Sequence, residues 1–172
     1  FTQIATGDIV TDGGDSHGSA WGDIDNDGFI DLFVANDREG AGFLYLNNGD
    51  GSFTKVTNDP TTTANGNSMA AAFSDMDRDG DLDLLIANHS NESNFYFTNN
   101  GNSNNWLQVR LTGTNSNKSA IGARVKVKAT ILGSAVWQMR EISSQTGGGA
   151  GAQSSLVAHF GLGNATSVDS II

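Results

Sequence analysis

Apolar residues in this chain come in short bounded runs. Leu32-Phe33-Val34-Ala35 and Leu84-Leu85-Ile86-Ala87 are each closed by an asparagine, Asn36 and Asn88. Runs of that length, bounded by turn formers, read as buried strands. Further on the pattern changes to period two. Leu107, Val109 and Leu111 alternate with Gln108 and Arg110, and Val125, Val127, Ala129 and Ile131 alternate with Lys126, Lys128 and Thr130. Strict alternation with one polar face marks half-buried strands. Residues 136–142, 156–160 and 168–172 read as further strands. No helical period extends beyond a couple of turns. With 22 glycines, frequent Asn, Ser and Thr, and Pro60 as the single proline, the pattern predicts an all-β chain.

The first half is a repeat with an offset of 52 residues, and it holds without a gap. Asp23 maps onto Asp75 and Ser16 onto Ser68. Trp21 takes the place of Phe73, and Leu32, Ala35 and Asn36 map onto Leu84, Ala87 and Asn88. Residues 43–49 map onto 95–101, each ending in Asn-Asn-Gly, and Phe1-Thr2 maps onto Phe53-Thr54. Several strands per unit at a period near 50 suggest propeller blades or an array. Each unit is expected to supply four strands: one near residue 20, one at 32–35, one at 43–46 and one from Phe53, or their equivalents.

Between the first two strands of each unit lies the most distinctive stretch. Asp23, Asp25, Asp27 and Asp31 occupy positions 1, 3, 5 and 9 of the first copy, and Asp75, Asp77, Asp79 and Asp83 those of the second. Gly28 and Gly80 stand at position 6, where a sharp turn favours glycine. Hard cations take six to eight oxygen ligands, and alternate carboxylates on a short loop, with the carbonyl of Phe29 or Asp81 at position 7, supply that kind of set. Acidic solvated turns are the bland alternative, but turn chemistry does not call for four carboxylates in register twice. Mg²⁺ fits less well than Ca²⁺ because it keeps its waters. Position 12 is Val34 or Ile86 where an EF-hand has a bidentate Glu, and strands follow instead of helices.

The segments WGDIDNDGFIDLFVAN…LYLNNGDGSF and FSDMDRDGDLDLLIAN…FYFTNNGN resemble FG-GAP repeats of the VCBS type. That resemblance implies blades of Ca²⁺-binding β-propellers, like those of integrin α chains, over residues 1–105 in two units (1–52 and 53–105), with the eight loop aspartates as ligands of two Ca²⁺ ions. The second unit departs from the pattern where Asn102-Ser103-Asn104 replaces Asp50-Gly51-Ser52. NWLQVRLTG…SAIGARVKV, followed by GAQSSLVAHFGLGNATSVDSI, resembles the ASPIC/UnbV domain over residues 106–172. In cartilage acidic protein and bacterial secreted proteins this domain follows FG-GAP repeats. The expected architecture is therefore two Ca²⁺-binding, propeller-type blades followed by a small β-sandwich-like domain.

Charge divides the chain at the same place. Residues 1–105 carry 17 acidic and 3 basic residues, and residues 106–172 carry 2 acidic and 6 basic, so −14 and +4 sum to the net −10. An acidic balance of this size argues against nucleic-acid binding. The absence of cysteine excludes disulfides and thiol chemistry. No run approaches the ~20 apolar residues of a membrane helix. Since the chain begins at Phe1, a mature product or a fragment is expected.

Asp15-Ser16-His17 is expected to be a polar loop, since neighbours on one strand cannot form a triad. His89 and His159 look isolated and structural. Glycine-rich residues 146–152 lack the Gly-Lys-Ser/Thr ending of a phosphate loop and read as a mobile loop. Arg110, Arg124, Lys126, Lys128 and Arg140 read as a solvated polar face, with an acidic neighbour as the alternative. Asn88, Asn91, Asn117 and Asn164 begin Asn-X-Ser/Thr sequons and are candidate glycosylation positions in a secreted chain. Trp21, Trp137 and Tyr45 are expected in the core.

Together these observations suggest a non-catalytic, Ca²⁺-stabilised protein, extracellular or at the cell surface. Two blades do not close a propeller, so either the chain is expected to be a piece of a longer one, or copies are expected to pack into a homo-oligomer through incomplete blades, head to tail into a filament. The alternatives are a glycan- or protein-binding module and the accessory end of a larger secreted protein.

Overall fold

The computed structural model describes residues 1–38, 40–144 and 155–172. The glycine-rich stretch 146–152 lies outside them. The described chain is all-β, with two four-residue helices, α1 (Asp8–Thr11) and α2 (Pro60–Thr63).

The first sheet has the order β1 (Ser16–Gly22), β2 (Asp31–Asn36), β4 (Phe43–Asn47), β5 (Phe53–Val56), all antiparallel. The second repeats it as β7 (Ser68–Ser74), β8 (Asp83–Asn88), β9 (Phe95–Phe97) and stops at three strands. Short ladders β3 (Gly40–Ala41) and β6 (Asn65–Gly66) join the two. The fourth strand expected in the second unit is missing for a visible reason. By the offset it would start at Asn105, but β10 (Asn105–Val109) pairs instead with β13 (Ala158–Gly163). Among the described residues no sheet closes into a barrel.

β1 and β7 face each other across a core built from Ala20, Phe33, Ala35, Leu44, Ala71, Phe73, Leu82, Leu84 and Ile86. Their approach explains one correction. Trp21 and Trp137, expected inside, are 49% and 53% exposed, whereas Tyr45 is buried. On β1 the inward positions are Gly18, Ala20 and Gly22, because a Cβ at Gly22 would already lie 3.0 Å from Leu82 and from Phe73. The alternation then sends Trp21 outward. Trp137 on β12 (Ser134–Glu141) likewise alternates with buried Gln138.

The C-terminal strands form two small sheets, β10–β13 and β12 (Ser134–Glu141), β11 (Arg124–Ile131), β14 (Ser170–Ile171). Val125, Val127, Ala129 and Ile131 of β11 pack with Ala158, Phe160 and Leu162 of β13 in a second core. The solvated basic face holds for Lys126 and for Arg124, which pairs with Glu141 at 2.8 Å. Arg140 departs from it, since its side chain turns inward and Nε donates to the carbonyl of His159 at 2.9 Å.

Candidate metal centre

Each acidic stretch is the turn between the first two strands of its sheet, and both turns are held by the same hydrogen bonds. In the first, the amides of Asp27, Gly28 and Phe29 donate to Asp25 Oδ1 (3.2 Å), Asp23 Oδ2 (3.0 Å) and Asp27 Oδ1 (2.8 Å). In the second, those of Asp79, Gly80 and Asp81 donate to Asp77 Oδ1 (3.3 Å), Asp75 Oδ2 (3.2 Å) and Asp79 Oδ1 (3.0 Å). Position 4 is left-handed in both, Asn26 at φ 58° and Arg78 at φ 69°, as is position 6, Gly28 at 101° and Gly80 at 96°. The result is a ring. Ligand atoms of Asp23, Asp25 and Asp27 lie within 4.8 Å of one another, as do those of Asp75, Asp77 and Asp79.

The position-9 aspartates act as struts of the loop. Asp31 accepts from the amides of Ile24 (2.8 Å) and Asn47 (2.9 Å), and Asp83 from those of Met76 (2.9 Å) and Asn99 (3.0 Å). Both are fully buried. Phe29 packs its ring over Gly49. Asp81 offers its side chain as well as a carbonyl, since its Oδ1 accepts from Asn26 Nδ2 at 2.7 Å.

The two rings differ in what covers them. The second is open, with Asp77 and Asp79 exposed. The first lies under the C-terminal sheets, with Asp23 1% and Asn26 0% exposed. Gly161 N donates to Asp23 Oδ2 (2.9 Å) and Gly163 N to the Asn26 carbonyl (2.7 Å). His159 Nε2 meets Asn26 Oδ1 at 2.6 Å. Because the Asn26 amide nitrogen already donates to Asp81, its oxygen accepts, so His159 carries its proton on Nε2. From the other side Asn102 and Asn104 donate to the Asp25 carbonyl at 2.5 and 2.8 Å, and Asn99 to that of Ile24 at 2.7 Å. Gln108 Nε2 donates to Asp75 Oδ2 at 2.6 Å. Sequence reasoning missed this clamp and read His159 as isolated. The one signal was the replacement of Asp50-Gly51-Ser52 by Asn102-Ser103-Asn104, whose asparagines grip the first loop.

Residues 23–86 match the family model of an FG-GAP-like repeat, and residues 113–172 match that of ASPIC and UnbV. The chain is an FG-GAP-like repeat followed by an ASPIC/UnbV domain. The first match spans both acidic loops. FG-GAP repeats are typical of extracellular proteins. No curated protein matches the chain. Among the described residues no helix is long and apolar enough to cross a membrane.

Coverage by the ASPIC/UnbV domain sets the electrostatics of the first FG-GAP loop. Burial pushes Asp23 up to about 7, against the pull of Arg140, whose guanidinium lies 3.9 Å away, and with a push from Asp27 and Asp25. Burial likewise raises Asp27 to about 6 and Asp31 to about 8. Asp23 Oδ1 is buried without a hydrogen-bond partner. A buried carboxylate oxygen lacking a donor, on a residue of a three-carboxylate cluster, fits a hard cation.

The sign of the pH dependence follows. A carboxylate whose pKa is raised on folding keeps a proton that the unfolded chain has released, so stability falls as pH rises toward the folded value. His159, lowered to about 4 by burial and by Arg140, acts in the opposite sense, but only below its ordinary 6.5. Above that, Asp23 and Asp31 act unopposed. In EGTA the melting temperature is expected to fall between pH 6.5 and 8.5. If the loop holds a Ca²⁺ ion, which would keep the carboxylates ionised, that fall is expected to vanish in millimolar Ca²⁺. Melting curves at the two pH values in both buffers check it.

Proposed function

We propose that the chain is a non-catalytic, Ca²⁺-stabilised extracellular module, in which two FG-GAP-type blades (residues 1–105) are locked to the ASPIC/UnbV-like β domain (residues 106–172). The observation that carries the reading is the partnerless Asp23 Oδ1 inside the Asp23–Asp25–Asp27 ring. Asp23, Asp25 and Asp27, and in the open loop Asp75, Asp77 and Asp79, hold the two ions. Asp31, Asp83 and the carbonyls of Phe29 and Asp81 complete the oxygen sets. Each ion replaces repulsion by cross-linking. Extracellular modules bind Ca²⁺ at about 10⁻⁴–10⁻³ M, which suits millimolar Ca²⁺ outside cells.

Thermal unfolding of Asp25→Ala and Asp77→Ala tests the reading. Each is expected to lose several degrees in millimolar Ca²⁺ and almost nothing in EGTA. Equal losses in both buffers would refute the metal role.

Self-association belongs to the same reading. β9 is the edge of a sheet that lacks the fourth strand its counterpart has in β5, and bare edges recruit strands. Phe1-Thr2-Gln3-Ile4, equivalent to β5 by the repeat, lies outside any sheet with Phe1 and Ile4 exposed. Light scattering in Ca²⁺ is expected to give a mass above that of one chain.

A second reading is favoured by Trp21. It stands beside a groove of about 370 Å³ shared with Phe73, Leu82, Arg140 and His159. An exposed indole next to a cation suits a glycan or a peptide. Loss of binding to a glycan array by Trp21→Ala would support it, and an array bare of wild-type binding would sink it.

A further inference from the structure

At the end of the sheets opposite the acidic loops, four side chains from three segments converge. Asp15 precedes β1, His17 lies within it, Asp37 follows β2, and His89 follows β8 of the second sheet. His17 Nε2 is 3.7 Å from Asp15 Oδ1 and 3.6 Å from Asp37 Oδ2. Both distances are too long for hydrogen bonds. They come close to the roughly 3.3 Å between two donors that share a tetrahedral ion with bonds of about 2.0–2.1 Å.

Each carboxylate is fixed through its outer oxygen. Arg38 Nε lies 2.7 Å from Asp15 Oδ2, an ion pair without the angle of a hydrogen bond. His89 Nε2 lies 2.7 Å from Asp37 Oδ1, and Ser90 Oγ holds the other ring nitrogen at 2.8 Å. Asp15 Oδ1 and Asp37 Oδ2 are thereby left facing His17. Nor is His17 an ordinary strand residue. It is the extra residue of a bulge, since Ser16 pairs with Asn36 and Gly18 with Ala35, and the same bulge recurs in the second sheet with Met69 as the extra residue. Bulges re-aim side chains.

The repeat supplies an internal control. The second sheet closes the same end with the same stitching. Ser16 Oγ to Asn36 Oδ1 (2.8 Å) recurs as Ser68 to Asn88 (2.7 Å), and the Asp37 N to Asp15 carbonyl bond (2.9 Å) recurs as His89 to Asn67 (3.0 Å). Yet Asn67 and Met69 stand where the first unit has Asp15 and His17. The turn therefore does not require those donors, and their presence in one unit asks for another cause.

We propose that Asp15 Oδ1, His17 Nε2 and Asp37 Oδ2 bind a divalent transition-metal ion of the Zn²⁺ class, with His89 and Arg38 as positioning residues. Imidazole with carboxylates selects such ions, whereas the all-oxygen loops select Ca²⁺. The Asp37 side chain is 14% exposed and that of His17 35%, so the ion can enter from solvent. The site does not depend on the Ca²⁺ reading, because it shares no residue with the acidic loops.

The test is a titration of the whole chain with Zn²⁺ in excess Ca²⁺, followed by calorimetry and by the ring resonances of its three histidines. One Zn²⁺ per chain is expected, with His17 signals shifting strongly and those of buried His159 unmoved. His17→Ala is expected to abolish binding while melting like wild type in Ca²⁺, and Asp25→Ala to leave it intact. His89→Ala is expected to weaken it about 10–100-fold, as loss of an outer-shell partner does. Absence of Zn²⁺ binding to the wild type, unshifted His17 signals, or full binding by His17→Ala would overturn the site. Unchanged affinity in His89→Ala would overturn the positioning role.

Discussion

Asp23→Asn is expected to destabilise the protein in millimolar Ca²⁺ and to stabilise it in EGTA. Asp23 is buried, accepts from Gly28 N and Gly161 N through Oδ2, and leaves Oδ1 without a donor. With a cation in the ring that oxygen is a ligand. A site of Kd about 10⁻⁴–10⁻³ M stabilises the fold by about 0.4–1.4 kcal/mol at millimolar Ca²⁺, and its loss removes that contribution. For a chain of this size that corresponds to roughly 1–6 °C in melting temperature. Without a cation the carboxylate is a buried charge facing Asp25 and Asp27, and its pKa is raised for that reason. An amide keeps the acceptor for the two backbone donors and removes the charge. A crossing of the two melting curves between buffers is therefore the signature. A loss of equal size in both would assign Asp23 a purely structural role.

The second large effect is expected at Asn26, and it differs in kind. Asn26→Ala leaves the buried His159 Nε2–H and the half-buried Asp81 Oδ1 without their partner. Each orphaned group costs about 1–3 kcal/mol. The left-handed backbone, φ 58°, adds about 1–2 kcal/mol for a side chain that cannot bond locally. A loss of about 3–6 kcal/mol by denaturant unfolding is expected, with or without Ca²⁺, because these bonds do not involve the ion. Combined with His159→Ala it is expected to be non-additive by about 1 kcal/mol or more. Strict additivity would mean that the two residues do not act as one link between the FG-GAP-like repeat and the ASPIC/UnbV domain.

The strands were legible wherever a local pattern carried them. The alternation at 124–131 coincides with β11, and Leu32-Phe33-Val34-Ala35 and Leu84-Leu85-Ile86-Ala87 lie inside β2 and β8. The acidic rings were legible for the same reason, since a loop of nine residues is local and occurs twice. What escaped depends on contacts between distant residues. Gly161 reaches Asp23 across 138 positions and His159 reaches Asn26 across 133, and no spacing encodes such pairs. His89 looked isolated because its partner Asp37 follows a strand of the other sheet, 52 residues away. Trp21, expected in the core, lies outside it, and the small residues on either side, Ala20 and Gly22, are the better guide. Two sheets that pack closely leave room only for small side chains, and the large one goes outward.

The most direct measurement is a Ca²⁺ titration followed at the backbone amides of Gly28 and Gly80, the position-6 glycines whose N–H groups donate to Asp23 and Asp75. Both resonances are expected to move and saturate at about 10⁻⁴–10⁻³ M Ca²⁺. In Asp23→Asn the Gly28 response is expected to disappear while that of Gly80 persists. Amides that stay in place through ten times that range, or a Gly28 response that survives in the variant, would contradict a Ca²⁺ ion in the first ring.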